Sequence, residues 1–190
     1  SILLITIPAI MLILFLHVII TNMKINFKDI AYTFFGMAYV IGCIIFLALS
    51  RGLENGRVLI WYAIIAAWGT DIFAYLIGKR FGKHKFSQVS PKKSIEGCVA
   101  GIVGAVVIAL IYTFAINSIL NLSYSYGLVI IATAILSVVG QVGDFAASSI
   151  KRYVDIKDYS NLIPGHGGML DRIDSLMFLA PFAYILLTLI

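Results

Sequence analysis

Residues 98–116 read CVAGIVGAVVIALIYTFAI, a run of nineteen residues without a charged side chain. A helix needs about 20 mostly apolar residues to cross the hydrocarbon core of a bilayer. The apolar character of this run does not alternate with period two, which favours a helix over a strand of a membrane β-barrel. This stretch therefore predicts a transmembrane helix.

Five further segments have the same character, and the six predicted spans cover residues 2–20, 30–49, 58–77, 98–116, 126–143 and 173–190. Of the 190 residues, 61% are hydrophobic and 12% are charged, whereas a soluble domain averages about 25% charged. We therefore predict an all-α, polytopic protein with a single transmembrane domain over residues 1–190. This composition argues against an ordinary soluble enzyme and against a disordered chain. The opening Ser-Ile-Leu-Leu, with neither Met nor a charged leader, suggests the C-terminal part of a longer protein.

Basic residues are distributed unevenly over the five loops between the predicted spans. Twelve of the 14 Lys and Arg residues fall in the first, third and fifth loops, which share one side of the membrane. The positive-inside rule makes that side cytoplasmic. The formal net charge of +5 is therefore interpreted as an orientation signal together with a site for polyanions, and not as a surface for nucleic acid.

Four acidic residues lie at the predicted cytoplasmic membrane edge. Asp71 and Asp144 precede the basic pairs at 79–80 and 151–152 by eight and seven residues, so we expect them at a similar depth. Two acids buried at one level repel each other unless a cation or a proton joins them. Asp171 and Asp174 open the last helix with i, i+3 spacing and should point to one side. The alternatives are a packing role for Asp71 and a favourable helix-dipole interaction for the other pair.

Two loop segments add patterns suited to phosphate. Residues 164–168 read PGHGG, and such glycine-rich loops expose backbone N–H groups to phosphate, although a plain tight turn would also explain them. Residues 90–97 read SPKKSIEG, whose lysines can neutralise a polyphosphate or anchor the loop to anionic lipid. Carboxylates combined with substrate phosphates suit Mg²⁺. The sequence therefore predicts metal-assisted phosphate chemistry on a lipid at the cytoplasmic face.

The sequence also resembles a known family. SSIKR at 148–152, KD at 157–158 and PGHGGMLDRID at 164–174 are similar to the signature of phosphatidate cytidylyltransferases, or CDP-diacylglycerol synthases. Upstream, Asp71 and residues 90–97 also resemble the family, with Ser94 where Thr is commoner. The informative resemblance covers residues 68–178, the expected catalytic region, and residues 1–60 match only as generic membrane helices.

The resemblance implies a reaction and a set of residue roles. It implies transfer of a cytidylyl group from CTP to phosphatidic acid with Mg²⁺, in a homodimer in the bacterial inner membrane. The metal ligands, for two ions, would be Asp144, Asp171, Asp174 and Asp71. Further catalytic residues would be Lys151, Arg152 and Arg172. The substrate-binding residues would be Ser90, Lys92, Lys93, Lys157, Asp158, His166, Gly167 and Gly168. His166 would bind phosphate or fix the turn, and His84, in the basic third loop, would be solvated.

Several alternatives remain at this stage. A CTP-dependent lipid kinase, an ether-lipid cytidylyltransferase and a catalytically inactive remnant could share the same nucleotide site. An alternative from a different class is an ion-coupled transporter, in which Asp71 and Asp144 would be cation sites. The ion site of a transporter should lie near the membrane midplane and open to both sides. The predicted polar residues gather at one membrane face, which argues against a transporter.

Overall fold

The computed structural model describes residues 2–22, 24–85, 93–160 and 168–190. This part of the chain folds into six long helices: α1 (Ile2–Ile20), α2 (Phe27–Arg51), α3 (Gly56–Phe81), α4 (Ile95–Leu120), α5 (Tyr126–Tyr153) and α6 (Leu170–Leu187). Each helix overlaps one of the six predicted spans. The predicted all-α membrane architecture is therefore confirmed.

Helices α2 to α5 are long and apolar enough to cross a membrane. Helix α6 has 18 residues, and three of its first five are charged. Two helices continue well beyond the predicted spans, because α3 runs on to Phe81 and α5 to Tyr153. Hydropathy marks only the hydrocarbon core, whereas backbone hydrogen bonding continues into the polar segments that follow.

Contacts divide the chain into two compact units, residues 1–42 and 43–190. In the first unit, a reciprocal cap begins α2. The side chain of Asn26 accepts hydrogen bonds from the backbone N–H groups of Lys28 and Asp29, at 2.8 and 3.2 Å. The carboxylate of Asp29 accepts in turn from the N–H of Asn26, at 2.9 Å. These bonds satisfy donors that the helix itself leaves open.

The second unit has an apolar core built from α3, α4, α5 and α6. Its buried members include Ala66, Ala109, Leu136 and Leu179. The buried hydroxyl groups of Tyr62 on α3 and Thr113 on α4 lie 2.8 Å apart and share a hydrogen bond. Apolar packing and hydrogen bonds between helices thus hold this unit together, as is usual within membranes.

Small residues allow α3 and α4 to approach closely. A Cβ atom added to Gly97 would lie 2.7 Å from the carbonyl oxygen of Ala74, and one added to Gly101 would lie 2.7 Å from that of Thr70. Such distances leave no room for a side chain. This close contact places the part of α3 that carries Asp71 beside the beginning of α4.

A π-helical turn, Ile65–Gly69, interrupts α3 just before Asp71. Ala66, Ala67 and Gly69 of this turn are buried. A π turn inserts one extra residue into an α-helix and is frequent at functional sites. The extra residue rotates the part of α3 that follows the turn about the helix axis. The turn therefore sets the direction in which the Asp71 side chain points from α3.

Candidate active site

One cavity, of about 550 Å³, opens at the end of the second unit where α3, α4, α5 and α6 meet. Four carboxylates and two basic side chains contribute to its lining: Asp71, Asp144, Asp171, Asp174, Lys93 and Arg172. All six were predicted from the sequence as site residues. They come from segments up to about 100 residues apart, so the fold brings them together.

Lys151 bridges two of the carboxylates. Its Nζ lies 2.7 Å from Oδ1 of Asp171 and 3.9 Å from Oδ2 of Asp174. The side chains of Lys151 and Asp171 are only 11% and 8% exposed. Lys151 lies in the last turn of α5, where the helix dipole favours a cation. A single ammonium group thus offsets the charge of the acids that begin α6.

Asp171 also fastens the loop that connects α5 to α6. Its Oδ2 accepts hydrogen bonds from the backbone N–H groups of Tyr159, at 2.9 Å, and Gly168, at 3.0 Å. The Tyr159 hydroxyl donates to the carbonyl of Ala147, at 3.3 Å, and its ring centroid lies 5.1 Å from Nζ of Lys151. Burial, with the carboxylates of Asp174 and Asp171 nearby, raises the pKa of the Tyr159 hydroxyl. This group therefore remains a donor at neutral pH.

Lys93 forms a second ion pair, with Asp144, in the lining of the cavity. Its Nζ contacts Oδ2 of Asp144, and the two side chains are 20% and 24% exposed. The same ammonium lies 4.9 Å from the ring centroid of Phe145, a cation–π distance. Lys93 comes from the segment just before α4, and Asp144 comes from α5. The pair therefore joins two elements across the cavity.

Ser175 connects the remaining carboxylate to α6. Its hydroxyl donates to Oδ2 of Asp71, at 3.2 Å, and its backbone N–H donates to Oδ1 of Asp174, at 2.8 Å. Asp71, Asp144 and Asp174 are close enough to interact electrostatically. Like charges held this close favour a cation between them.

The other predicted residues that the structure describes do not line the cavity. Arg152, Lys157 and Asp158 are exposed, and their roles stay predictions. Gly168 is buried and gives its N–H to Asp171 rather than to open space. The predicted residues Ser90, Lys92, His166 and Gly167 lie outside the described residues.

Sequence reasoning missed two contributors to this region, Ser175 and Tyr159, and one contact outside the cavity lining, between His84 and Glu96. Ser175 is an unremarkable serine in an apolar helix, and only the fold shows that it meets Asp71. Tyr159 binds Asp171 through its backbone N–H. Because every residue except proline carries this group, the sequence contains no signal for the contact. His84 is exposed, as predicted for a solvated residue, yet its Nδ1 lies 2.6 Å from Oε1 of Glu96.

The arrangement of the carboxylates suits a metal site that substrate phosphates complete better than a site formed by protein ligands alone. Within the described ranges, no three His, Cys, Asp or Glu side chains are arranged to hold an ion by themselves. Mg²⁺ usually takes only one or two protein carboxylates and completes its shell with water and substrate phosphates. Four carboxylates around one open cavity suit that mode of binding.

Comparisons with known proteins agree with the chemistry of the site. A sequence profile of the cytidylyltransferase family matches residues 1–190. A Bacillus subtilis protein named phosphatidate cytidylyltransferase is 40% identical over 95% of this chain and 66% of its own length. Proteins of the same name from Staphylococcus haemolyticus and Staphylococcus aureus (strain COL) are 37% and 38% identical, over 94% and 90% of the chain. These alignments cover 67% and 64% of the two relatives, so the chain spans about two thirds of their length.

Proposed function

This chain belongs to the cytidylyltransferase family, and from that premise we propose that it transfers a cytidylyl group from CTP to phosphatidic acid. The products would be CDP-diacylglycerol and pyrophosphate. The observation that carries this proposal is the cavity at the ends of membrane helices, whose lining includes four carboxylates, Lys93 and Arg172. The family resemblance predicted from the sequence is confirmed by the family match.

The proposed reaction is a displacement at phosphorus. An oxygen of the phosphatidate phosphate forms a bond to the α-phosphorus of CTP, and the bond from that phosphorus to the bridging oxygen of the β-phosphate breaks. Pyrophosphate leaves with the electron pair of that bond. Because the attacking oxygen is already anionic, no general base is required. The enzyme must instead bring two anions together and stabilise the charge on the leaving group.

Among the described residues, Lys93 and Arg172 are basic side chains that line the cavity and can meet the phosphates. Lys93 and Lys151 are each paired with a carboxylate of the cavity lining. A polyphosphate that enters the cavity offers the ammonium of Lys93 a second anion. We propose that Lys93 and Arg172 bind the phosphates of the substrates, while Lys151 holds Asp171 and Asp174 in place.

We propose that Mg²⁺, as two ions, is held by Asp144, Asp171 and Asp174 together with Asp71. The cavity that these four carboxylates share and the mutual repulsion of Asp71, Asp144 and Asp174 support this assignment. Bound Mg²⁺ would neutralise phosphate charge and stabilise the departing pyrophosphate. Titration of Mg²⁺ into metal-free protein, followed by the protein's melting temperature, tests the site without turnover. Stabilisation that disappears in Asp171→Asn would support it, and no stabilisation of the wild type would contradict it.

We also propose that the cavity faces the cytoplasm of a bacterial cell and that the protein is a homodimer. The distribution of basic residues over the loops supports the orientation. A cysteine at Ser123 should react with an impermeant maleimide in intact cells, and one at Asp155 only after permeabilisation. The opposite pattern would invert the orientation. Light scattering of the purified protein tests the dimer, which rests on the family resemblance alone.

The activity is tested by following both products. Detergent-solubilised protein is incubated with phosphatidic acid, Mg²⁺ and CTP labelled at the α-phosphate. Label in the lipid fraction together with released pyrophosphate would support the proposal. Release of CDP with a phosphorylated lipid would instead indicate a lipid kinase. Transfer to an ether-linked lipid but not to phosphatidic acid would identify an ether-lipid enzyme.

A further inference from the structure

Glu96 lies outside the cavity lining, yet its carboxylate accepts several hydrogen bonds. Its Oε2 accepts from the backbone N–H of Lys83, at 3.2 Å, and both oxygens lie 3.3 Å from the backbone N of His84. Nδ1 of His84 lies 2.6 Å from Oε1. The first turn of α4, which carries Glu96, is therefore tied to the residues that follow the end of α3.

Backbone contacts complete this connection. The N–H of Ile95 donates to the carbonyl of His84, at 3.0 Å, and Lys85 pairs with Ser94 as an antiparallel bridge. The Ser94 hydroxyl accepts from the N–H of Gly97, at 3.1 Å, and so caps α4. We call residues 82–85 and 93–97 the α3–α4 clasp.

Ser94 is closely packed against two glycines of α3 and the α3–α4 clasp. A Cβ atom added to Gly82 would lie 2.7 Å from Cβ of Ser94, and one added to Gly78 would lie 3.0 Å from its hydroxyl oxygen. Ser94 itself is buried. A residue joined directly to Ser94 is therefore held in a well-defined place.

That residue is Lys93, whose ammonium reaches Asp144 across the cavity. We propose that Glu96 is a positioning residue, which fixes the point where Lys93 enters the cavity by fastening the α3–α4 clasp. Glu96 does not touch the substrates, and His84 supports it as a side-chain donor. This inference rests on the proposed function, because it assigns Lys93 to the phosphates.

A kinetic double-mutant cycle tests this role. Glu96→Ala should raise the KM for CTP about tenfold and change kcat less, whereas Glu96→Gln, which keeps one acceptor oxygen, should recover part of the loss. In a Lys93→Ala background, Glu96→Ala should have little further effect, because both changes act through the same group. Glu54→Ala, at an exposed glutamate outside the clasp, is the matched control. Equal effects of Glu96→Ala with and without Lys93 would overturn the proposal.

Amide hydrogen exchange gives a second measurement that needs no turnover. In Glu96→Ala, the amides of Lys83, His84 and Ile95 should exchange at least tenfold faster than in the wild type, while α5 is unchanged. Unchanged exchange at these amides would overturn the proposal even if the wild type were inactive. An inactive wild type with the expected exchange would contradict only the proposed function.

Discussion

Nζ of Lys151 lies 2.7 Å from Oδ1 of Asp171, and this ion pair joins the end of α5 to the beginning of α6. Both side chains are largely withdrawn from water. Asp171 uses its second oxygen to hold the backbone of Tyr159 and Gly168. The pair therefore organises one wall of the cavity, in addition to any role in the reaction.

Removal of Lys151 should destabilise the protein. Lys151→Met removes the ammonium group that pairs with Asp171 and Asp174, and breaking a buried pair on one side costs about 3 kcal/mol. Unfolding of the purified protein in detergent measures the change. The double variant Lys151→Met with Asp171→Asn should lose clearly less than the sum of the two single losses. Additive losses would show that the two residues do not interact in solution.

Removal of Lys93 should weaken the use of CTP more than it weakens folding. The Lys93 side chain is 20% exposed and its partner Asp144 is 24% exposed, so the ion pair itself adds little stability. Lys93→Ala should raise the KM for CTP, because a hydrogen bond to a charged phosphate contributes about 1.5–3 kcal/mol. Steady-state kinetics with CTP varied measures this change. Lys79→Ala, at an exposed lysine of α3, serves as the control, and equal KM values for both variants would contradict the role of Lys93.

The close approach of α3 and α4 should not tolerate a side chain at Gly101. In Gly101→Ala the new Cβ would meet the carbonyl oxygen of Thr70, and such overpacking costs about 1–3 kcal/mol. Gly42 is the matched control, since an added Cβ there meets no atom within 4 Å. Thermal unfolding should show a lower melting temperature for Gly101→Ala and no loss for Gly42→Ala. A stable Gly101→Ala protein would mean that the two helices are further apart than described.

Much of this architecture could be predicted from the sequence because the bilayer permits few solutions. A run such as residues 98–116 has to be a helix, since every backbone polar group must find its partner inside the segment. The acids could be predicted as well, because Asp71 and Asp144 are costly to place at a membrane edge without a function. Both reasons depend on local composition and on nothing distant in the chain.

The partners of these acids could not be predicted, because they depend on how the helices pack. Lys93 was predicted to bind phosphate, and here it contacts Asp144, 51 residues further along the chain. Asp71 meets Ser175, which is 104 residues away. The π turn before Asp71 and the closure of the α3–α4 clasp by Glu96 leave no periodic pattern in the sequence. Such details depend on how the helices pack in three dimensions.

If the acids that begin α6 serve cytidylyl transfer, their removal should slow it greatly. The most direct measurement is the transfer of label from CTP to phosphatidic acid by three Asp→Asn variants. Asp171→Asn and Asp174→Asn should each lower the rate at least a hundredfold, because each removes a carboxylate that lines the cavity. Asp155→Asn, at an exposed position with positive φ that asparagine also accepts, should retain the wild-type rate. Near-normal transfer by both Asp171→Asn and Asp174→Asn would contradict the account.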